Sequence, residues 1–230
     1  MPSASKVTIS IIVAGTNEPS NSHLLAEKFR EGITASGAEA TIIRLKNLQL
    51  DHFDLKCYDA TCSISDRFPE IRETIRRCDG LVIASPVWNF SVPAHLKNLI
   101  DRMGSFGLDE NTHSVGTLEG KPTFLIFTGG APAAAWPMLK RTTSHVSAGL
   151  QYFGCSIVGT HFEGSCTLGR GKFGLVVDKR PASLAAMEKK GGEFVTLVSN
   201  FKKTGMLPFK LRAIKSIVKM GQKLKRKMGW

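Results

Sequence analysis

Five short apolar runs punctuate the chain, at Val7–Ala14, Ala40–Leu45, Gly80–Ser85, Thr123–Thr128 and Ser156–Thr160, each rich in Ile, Val or Phe. Runs of this length with no alternating polar face read as strands buried on both sides, as in a parallel sheet. Between them, apolar residues recur at helical spacing. Leu24, Leu25, Phe29 and Ile33 do so within Ser22–Ser36, Ile71 and Ile75 within Phe68–Arg77, and further helical patterns cover Pro93–Met103, Trp136–Phe153 and Pro181–Phe201. Pro93 and Pro181 fall where a first helical turn tolerates proline. Strand–helix alternation of this kind predicts a doubly wound α/β sheet, and right-handed crossovers make the flavodoxin-like order 2-1-3-4-5 the economical one. Its switch point brings together the loops after strands one, three and four, outside the carboxyl ends where open α/β sheets bind ligands.

Those three loops hold the candidate chemistry. After the first strand comes Gly15-Thr16-Asn17-Glu18-Pro19-Ser20-Asn21-Ser22. Small hydroxyl and amide residues wrapped around a helix start offer a phosphate side-chain hydrogen bonds and unpaired backbone amides, so Thr16, Ser20, Asn21 and Ser22 are candidate ligands. Ser20 or Ser22 serves equally well as an ordinary helix cap. The loop after the third strand, Ser85-Pro86-Val87-Trp88-Asn89-Phe90-Ser91-Val92-Pro93, presents an aromatic between prolines and suits a planar cofactor. Trp88 is as readily a packing residue. Thr128-Gly129-Gly130 ends the fourth strand, where glycine lets backbone come close to a ligand or simply makes a tight turn. The sequence Ala131–Trp136 offers an apolar lip, and the glycine-rich Glu163–Gly174 reads as a mobile loop beside the site or an ordinary surface connection.

The Ser85–Pro93 loop, followed by Leu96-Lys97-Asn98-Leu99-Ile100-Asp101-Arg102, resembles the flavodoxin-like NAD(P)H-dependent FMN reductase and quinone reductase family. Its members carry Ser/Thr-Pro-x-Tyr/Trp-x-x-Ser-x-Pro and then Leu-Lys-Asn-x-x-Asp-Arg. The first loop resembles the same family's phosphate loop through Asn21, Ser22, Leu25 and Ala26. The resemblance covers roughly residues 6–203 and is dense in the first 130. It implies FMN, with NADPH or NADH as donor. The phosphate would lie at Thr16, Ser20, Asn21 and Ser22. The isoalloxazine would lie along Pro86, Val87, Trp88, Asn89 and Phe90, and its dimethylbenzene side near Thr128, Gly129 and Gly130. A homo-oligomer, dimer or tetramer, is expected. Glu18 departs from the pattern, standing where many members have arginine; an acid there disfavours a phosphate dianion unless it points away.

Composition changes this picture chiefly at the carboxyl end. A chain of 230 residues with 42% hydrophobic content suits one domain plus appendages. The net charge of +12 is uneven: from Phe194 onward there are ten basic residues and no acid, leaving 21 basic against 19 acidic groups in residues 1–193. The reading is therefore a flavodoxin-like domain over 1–203 and a basic amphipathic tail over 204–230. Within that tail Leu207, Leu211, Ile214, Ile217, Val218, Leu224 and Met228 alternate with cations. Such a segment suits an anionic membrane surface; a solvated helix, a partner-docking helix and a non-specific nucleic-acid tail are the competing readings, and no specific nucleic acid is expected.

Five cysteines, an odd number in a chain able to build a core, argue against a disulfide framework and for a cytoplasmic location, peripheral to the membrane if the tail docks. The amino-terminal apolar run lacks a small-residue cleavage site, and no run approaches a membrane span. Cys57-x4-Cys62 lacks a second ligand pair, the six histidines form no pair at ligand spacing, and no metal is expected. The function expected is an FMN-dependent oxidoreductase carrying electrons from NAD(P)H to a small-molecule acceptor such as a quinone, flavin or azo compound. Its rivals are a flavodoxin-like electron carrier and a flavin-free scaffold that binds a membrane or partner through the tail. No side-chain acid or base is required, so no catalytic residue is named.

Overall fold

The computed structural model describes residues 6–58, 65–169, 172–208 and 220. A single parallel sheet is built from β1 (Thr8–Val13), β2 (Glu39–Arg44), β3 (Gly80–Pro86), β4 (Pro122–Thr128) and β5 (Ser156–Glu163), in the order β2-β1-β3-β4-β5. The helices are α1 (Asn21–Ala35), α2 (Phe68–Arg77), α3 (Ala94–Gly107), α4 (Trp136–Thr142), α5 (Ser144–Tyr152) and α6 (Pro181–Thr204). Alternate residues of each central strand feed opposite cores, as the two-residue period of a strand requires. Ile9, Ile11 and Val13 pack with α1 and α6, while Ile12 and Ala14 pack with α2, α3 and α5.

Only the three central strands meet the expectation of complete burial. β2 and β5 lie at the sheet edges, each covered on one side of its hydrogen-bonding ladder, and most of their residues are partly exposed. β5 also runs on to Glu163. Its register against β4 skips one residue, Thr123 facing Ile157 but Phe124 facing Gly159, so Val158 forms a bulge. A second departure lies in Trp136–Phe153, which is two helices broken at Thr143. The hydroxyls of Thr142 and Thr143 both donate to the Leu139 carbonyl, at 3.0 and 2.9 Å, and compete with the backbone for helical acceptors.

Two features lock the frame around the site. Where α1 crosses α6, a Cβ on Gly32 would lie 1.8 Å from the Glu188 carbonyl oxygen and one on Gly191 2.1 Å from that of Phe29, so these helices touch backbone to backbone. On the opposite face, the motif residues Asn98 and Arg102 of α3 anchor the excursion that follows β2. Asn98 accepts from the Phe53 amide at 2.7 Å and donates to the Asp51 carbonyl at 3.0 Å. The Arg102 guanidinium pairs with Asp66, both side chains only 4% exposed, and lies 4.2 Å from the Phe68 ring centroid. Burial alone would raise the Asp66 pKa, but hydrogen bonds from Arg102 and from the Phe68 and Asp51 amides outweigh it and hold the carboxyl below its usual range. The Leu-Lys-Asn-x-x-Asp-Arg sequence is thus, at Asn98 and Arg102, a structural tie.

The last helix ends on Gly205 in the left-handed conformation, and Leu207 is buried beyond it. Most of the basic tail, 209–219 and 221–230, lies outside the described residues, as does Cys62. The other four cysteines are buried free thiols. Among the described residues, no helix is long and apolar enough to cross a membrane.

Candidate functional site

At the carboxyl ends of β1, β3 and β4 lies a cavity of about 480 Å³, within the size range of small-molecule sites. One end is polar. Ser20, Asn21 and Ser22 line it, and all three are buried. Ser20 is the N-cap of α1, its hydroxyl accepting from the His23 amide at 3.3 Å, and it lies 3.1 Å from the Ser22 hydroxyl. Helix geometry leaves the Asn21 and Ser22 amides without intrahelical acceptors. The cap and the ligand readings of this loop are therefore compatible. Gly15 is required beneath it, since a Cβ there would lie 2.6 Å from Ser22 Oγ and 2.7 Å from Ser20 Oγ.

The opposite wall is flatter and more apolar, formed by Pro86, Val87, Trp88 and Asn89. Val87 stays tied to the sheet through its amide, 2.7 Å from the Thr128 carbonyl. Trp88 and Ser91 then exchange two backbone hydrogen bonds, 2.8 and 2.9 Å, around Asn89 and Phe90 at φ 49° and 64°. This is a two-residue hairpin turn of the kind that needs positive φ twice; Asn accepts that readily, Phe rarely. Its two central amides stay outside the turn's own bonding. Phe90 points outward, 62% exposed, and does not line the cavity. Thr16 is likewise exposed and off the lining.

Thr128, Gly129 and Gly130 complete the floor. Gly129 donates to the Glu163 carbonyl at 3.0 Å and accepts from the Cys166 amide at 2.9 Å. The space its missing Cβ leaves is filled by the Phe162 ring at 3.1 Å, and that at Gly130 by the Thr167 methyl at 2.9 Å. The glycines thus let a protein wall close onto β4. The lip expected at Ala131–Trp136 does not border the cavity: Trp136 stacks on Phe162, centroids 4.9 Å apart and 13° from parallel.

Five lining residues are not singled out individually in the sequence, although their segments are: Asn17, Cys166, Thr167, Phe173 and Gly174. The first adjoins Thr16, and the others belong to the glycine-rich stretch after β5, whose glycine content was the available signal. That stretch is pinned at its base. Glu163 accepts from Arg180 at 2.6 Å and Ser183 at 3.0 Å, while Arg180 also donates to the Gly164 and Ser165 carbonyls at 2.8 Å. Burial would raise the Glu163 pKa, yet these hydrogen bonds and one from His161 hold it below normal. Burial pushes the Cys166 thiol up to about 11, so it stays protonated at neutral pH.

Every described residue lining the cavity is uncharged. Glu18 stays off the lining, drawn to Arg44 and Lys46 from the end of β2, whose hydrogen bonds lower its pKa. Arg44 also reaches the Gly15 carbonyl at 3.5 Å. Thus the acid that departs from the loop pattern is neutralised by two cations that flank the same loop. No three His, Cys, Asp or Glu side chains gather as a metal site among the described residues.

Residues 7–161 match the family model for NADPH-dependent FMN reductase. The chain belongs to that family. An FMN-dependent NADH:quinone oxidoreductase of Nitratidesulfovibrio vulgaris (strain DP4) is 28% identical over 128 residues, 51% of this chain and 59% of the relative. A quinone reductase of Escherichia coli (strain K12) is 44% identical over 52 residues, 21% of this chain and 28% of that protein. The chain thus spans about three-fifths or less of these curated relatives. The NAD(P)H:quinone oxidoreductase from Methanothermobacter marburgensis superposes with TM-score 0.64 and 19% identity over 82% of this chain and 97% of that one. An azoreductase from Bacillus anthracis gives 0.57 and 15% over 85% and 100%. At such identities these structures show a shared fold.

Proposed function

We propose that this FMN reductase family member is an FMN-dependent oxidoreductase that accepts electrons from NADPH or NADH and passes them to a small-molecule acceptor such as a quinone, flavin or azo compound. The observation that carries the proposal is the two-ended cavity: an uncharged hydroxyl-rich helix start at one end and the Pro86–Asn89 wall at the other. FMN has a dianionic phosphate and a flat aromatic ring, and it fits that polarity. When bound it supplies the hydride and electron chemistry itself. The chain's residues bind and orient it. Ser20 and Ser22 hydroxyls and the Asn21 and Ser22 amides would hold the phosphate; Trp88 and Val87 would flank the ring; the Asn89–Phe90 turn would supply amide dipoles that favour the reduced, more negative form. Thr128, Gly129 and Gly130 back the far side. Thr16, on the exposed part of the loop, takes part only by closing over the phosphate.

Around the cavity mouth, Trp88, Phe90, Leu168 and Phe173 leave large apolar surfaces exposed. We take this rim as the contact for an apolar acceptor and for a second copy of the chain in a dimer or tetramer. The body over 1–203 acts in the cytoplasm, and the basic segment over 204–230 docks on anionic membrane surface, supported by its eight basic residues and no acid. The decisive experiment is the absorption spectrum of purified protein reconstituted with FMN, before and after NADPH or NADH. Rapid bleaching, followed by recovery on adding a quinone, is expected. A yellow protein bleached only by dithionite or a protein partner is an electron carrier instead. Colourless protein that gains no thermal stability from FMN is a flavin-free scaffold.

A further inference from the structure

Asn21 sits in the middle of the phosphate-loop pattern, yet its side chain is already committed. The carboxamide oxygen accepts from the Val176 amide at 2.8 Å and the Val177 amide at 3.1 Å, and the Nδ2 group donates to the Gly174 carbonyl at 2.8 Å. A carboxamide oxygen has two lone pairs and the nitrogen two hydrogens, so three of its four hydrogen-bonding positions are used. The orientation is fixed by its neighbours, because a flipped amide would set N–H against N–H. All of this occurs at a residue 7% exposed, joining segments more than 150 positions apart.

The segment it holds is a wall of the cavity. Phe173 and Gly174 line it directly, and Val177, fully buried, packs among the α1 and α6 side chains. The Glu163–Arg180 pair fixes the base of the same excursion where it leaves β5. Its return past the cavity depends on Asn21. Asp offers no donor to Gly174, Ser is too short to span the gap, and Gln carries its carboxamide one methylene further from the backbone.

We propose that Asn21 is a positioning residue: its carboxamide latches residues 174–177 to the start of α1 and thereby sets the Phe173–Gly174 wall against the ring portion of a bound flavin. The inference rests on the flavin reading given above. It assigns the phosphate to Ser20, Ser22 and the backbone amides, and gives the Asn21 side chain a separate task. Phosphate contact at the α1 start and closure of the wall are then mechanically joined, since one residue supplies an amide to the first and a carboxamide to the second.

Comparison of FMN with riboflavin, which lacks the phosphate, separates the two roles. Quenching titrations with each are made on the full chain and on Asn21→Ala, Asn21→Asp and Ser22→Ala. For Asn21→Ala both flavins should weaken by the same factor, roughly ten-fold or more, because three hydrogen bonds from a buried side chain to the wall are lost. Ser22→Ala should weaken FMN alone. Asn21→Asp keeps both acceptor bonds but sets a carboxylate oxygen against the Gly174 carbonyl, so riboflavin should weaken too, and FMN further beside the added carboxylate. Selective loss of FMN in Asn21→Ala, or no loss of either flavin, overturns the latch. Should Asn21→Ala melt too early to titrate, the Asp variant decides: riboflavin affinity equal to wild type then counts against the latch. If wild type binds neither flavin, the flavin reading itself fails, which is a different result.

Discussion

At the scale of single residues, the site reads as neutral contacts set inside a charged frame. Ser22→Asp places a carboxylate at the α1 start and should abolish FMN binding while leaving riboflavin bound, which paired titrations would reveal. Trp88→Ala should weaken both flavins and weaken FMN less than Ser22→Asp does, since the phosphate contacts persist. Glu18 gives the opposite sign. Its charge is offset by Arg44 and Lys46, so Glu18→Gln releases net positive potential beside the loop and should tighten FMN several-fold at low ionic strength. The gain should fade in about 1 M salt, where the Debye length is roughly 3 Å. Weaker FMN binding by the variant would mean that Glu18 matters mainly for loop shape.

Between elements, the ties that shape the site lie outside it. Asp66 pairs with Arg102 in the interior, and replacing it by Asn leaves a buried guanidinium without its counter-ion, a loss of about 3–5 kcal/mol in chemical denaturation. The pH dependence follows from the direction of the shift. The folded-state pKa of Asp66 is depressed, so the pair's contribution is fully present above the unfolded value of about 3.9. It is lost as pH falls through the lower folded value. Wild type should therefore lose stability across this acid window more steeply than Asp66→Asn, and equal slopes would mean that the pair contributes nothing. At the α1–α6 crossing, Gly32→Val drives a side chain into the Glu188 carbonyl and should force the helices apart, lowering Tm by several degrees. Because both helices abut the Asn21 latch, flavin affinity should fall in parallel.

Across the whole molecule, the question is how the folded body relates to its basic extension. Leu207 is buried, so a truncation that respects the fold removes 209–230 and not 206–230. The truncated protein should keep its melting temperature, flavin content and reduction of water-soluble acceptors, yet lose sedimentation with anionic vesicles. Full-length protein should release from such vesicles as salt rises and ignore neutral ones. Vesicle binding that survives truncation would move the membrane contact to the apolar rim of the cavity.

The order of the sheet and the three loops at its switch point were legible in the chain, because parallel strands carry continuous apolar runs and crossover handedness leaves few arrangements. Phe68–Arg77 was legible to the residue, its apolar positions at Ile71 and Ile75 having one face to bury. The break at Thr143 was not: apolar spacing runs straight through it, while the competing hydroxyl bonds depend on local geometry. The order 2-1-3-4-5 places β2 and β5 at the edges, but their continuous apolar runs do not show that most of their residues stay partly exposed. The Ser20–Ser22 and Pro86–Asn89 walls could be read locally because each is a contiguous segment at a strand end. The stretch Glu163–Gly174 reads as a loop beside the site or an ordinary connection, but neither which of its residues form the wall nor the commitment of Asn21 to it was legible, because those contacts join residues about 150 positions apart. Only the packed chain brings a carboxamide at one helix start to three backbone groups of a distant loop.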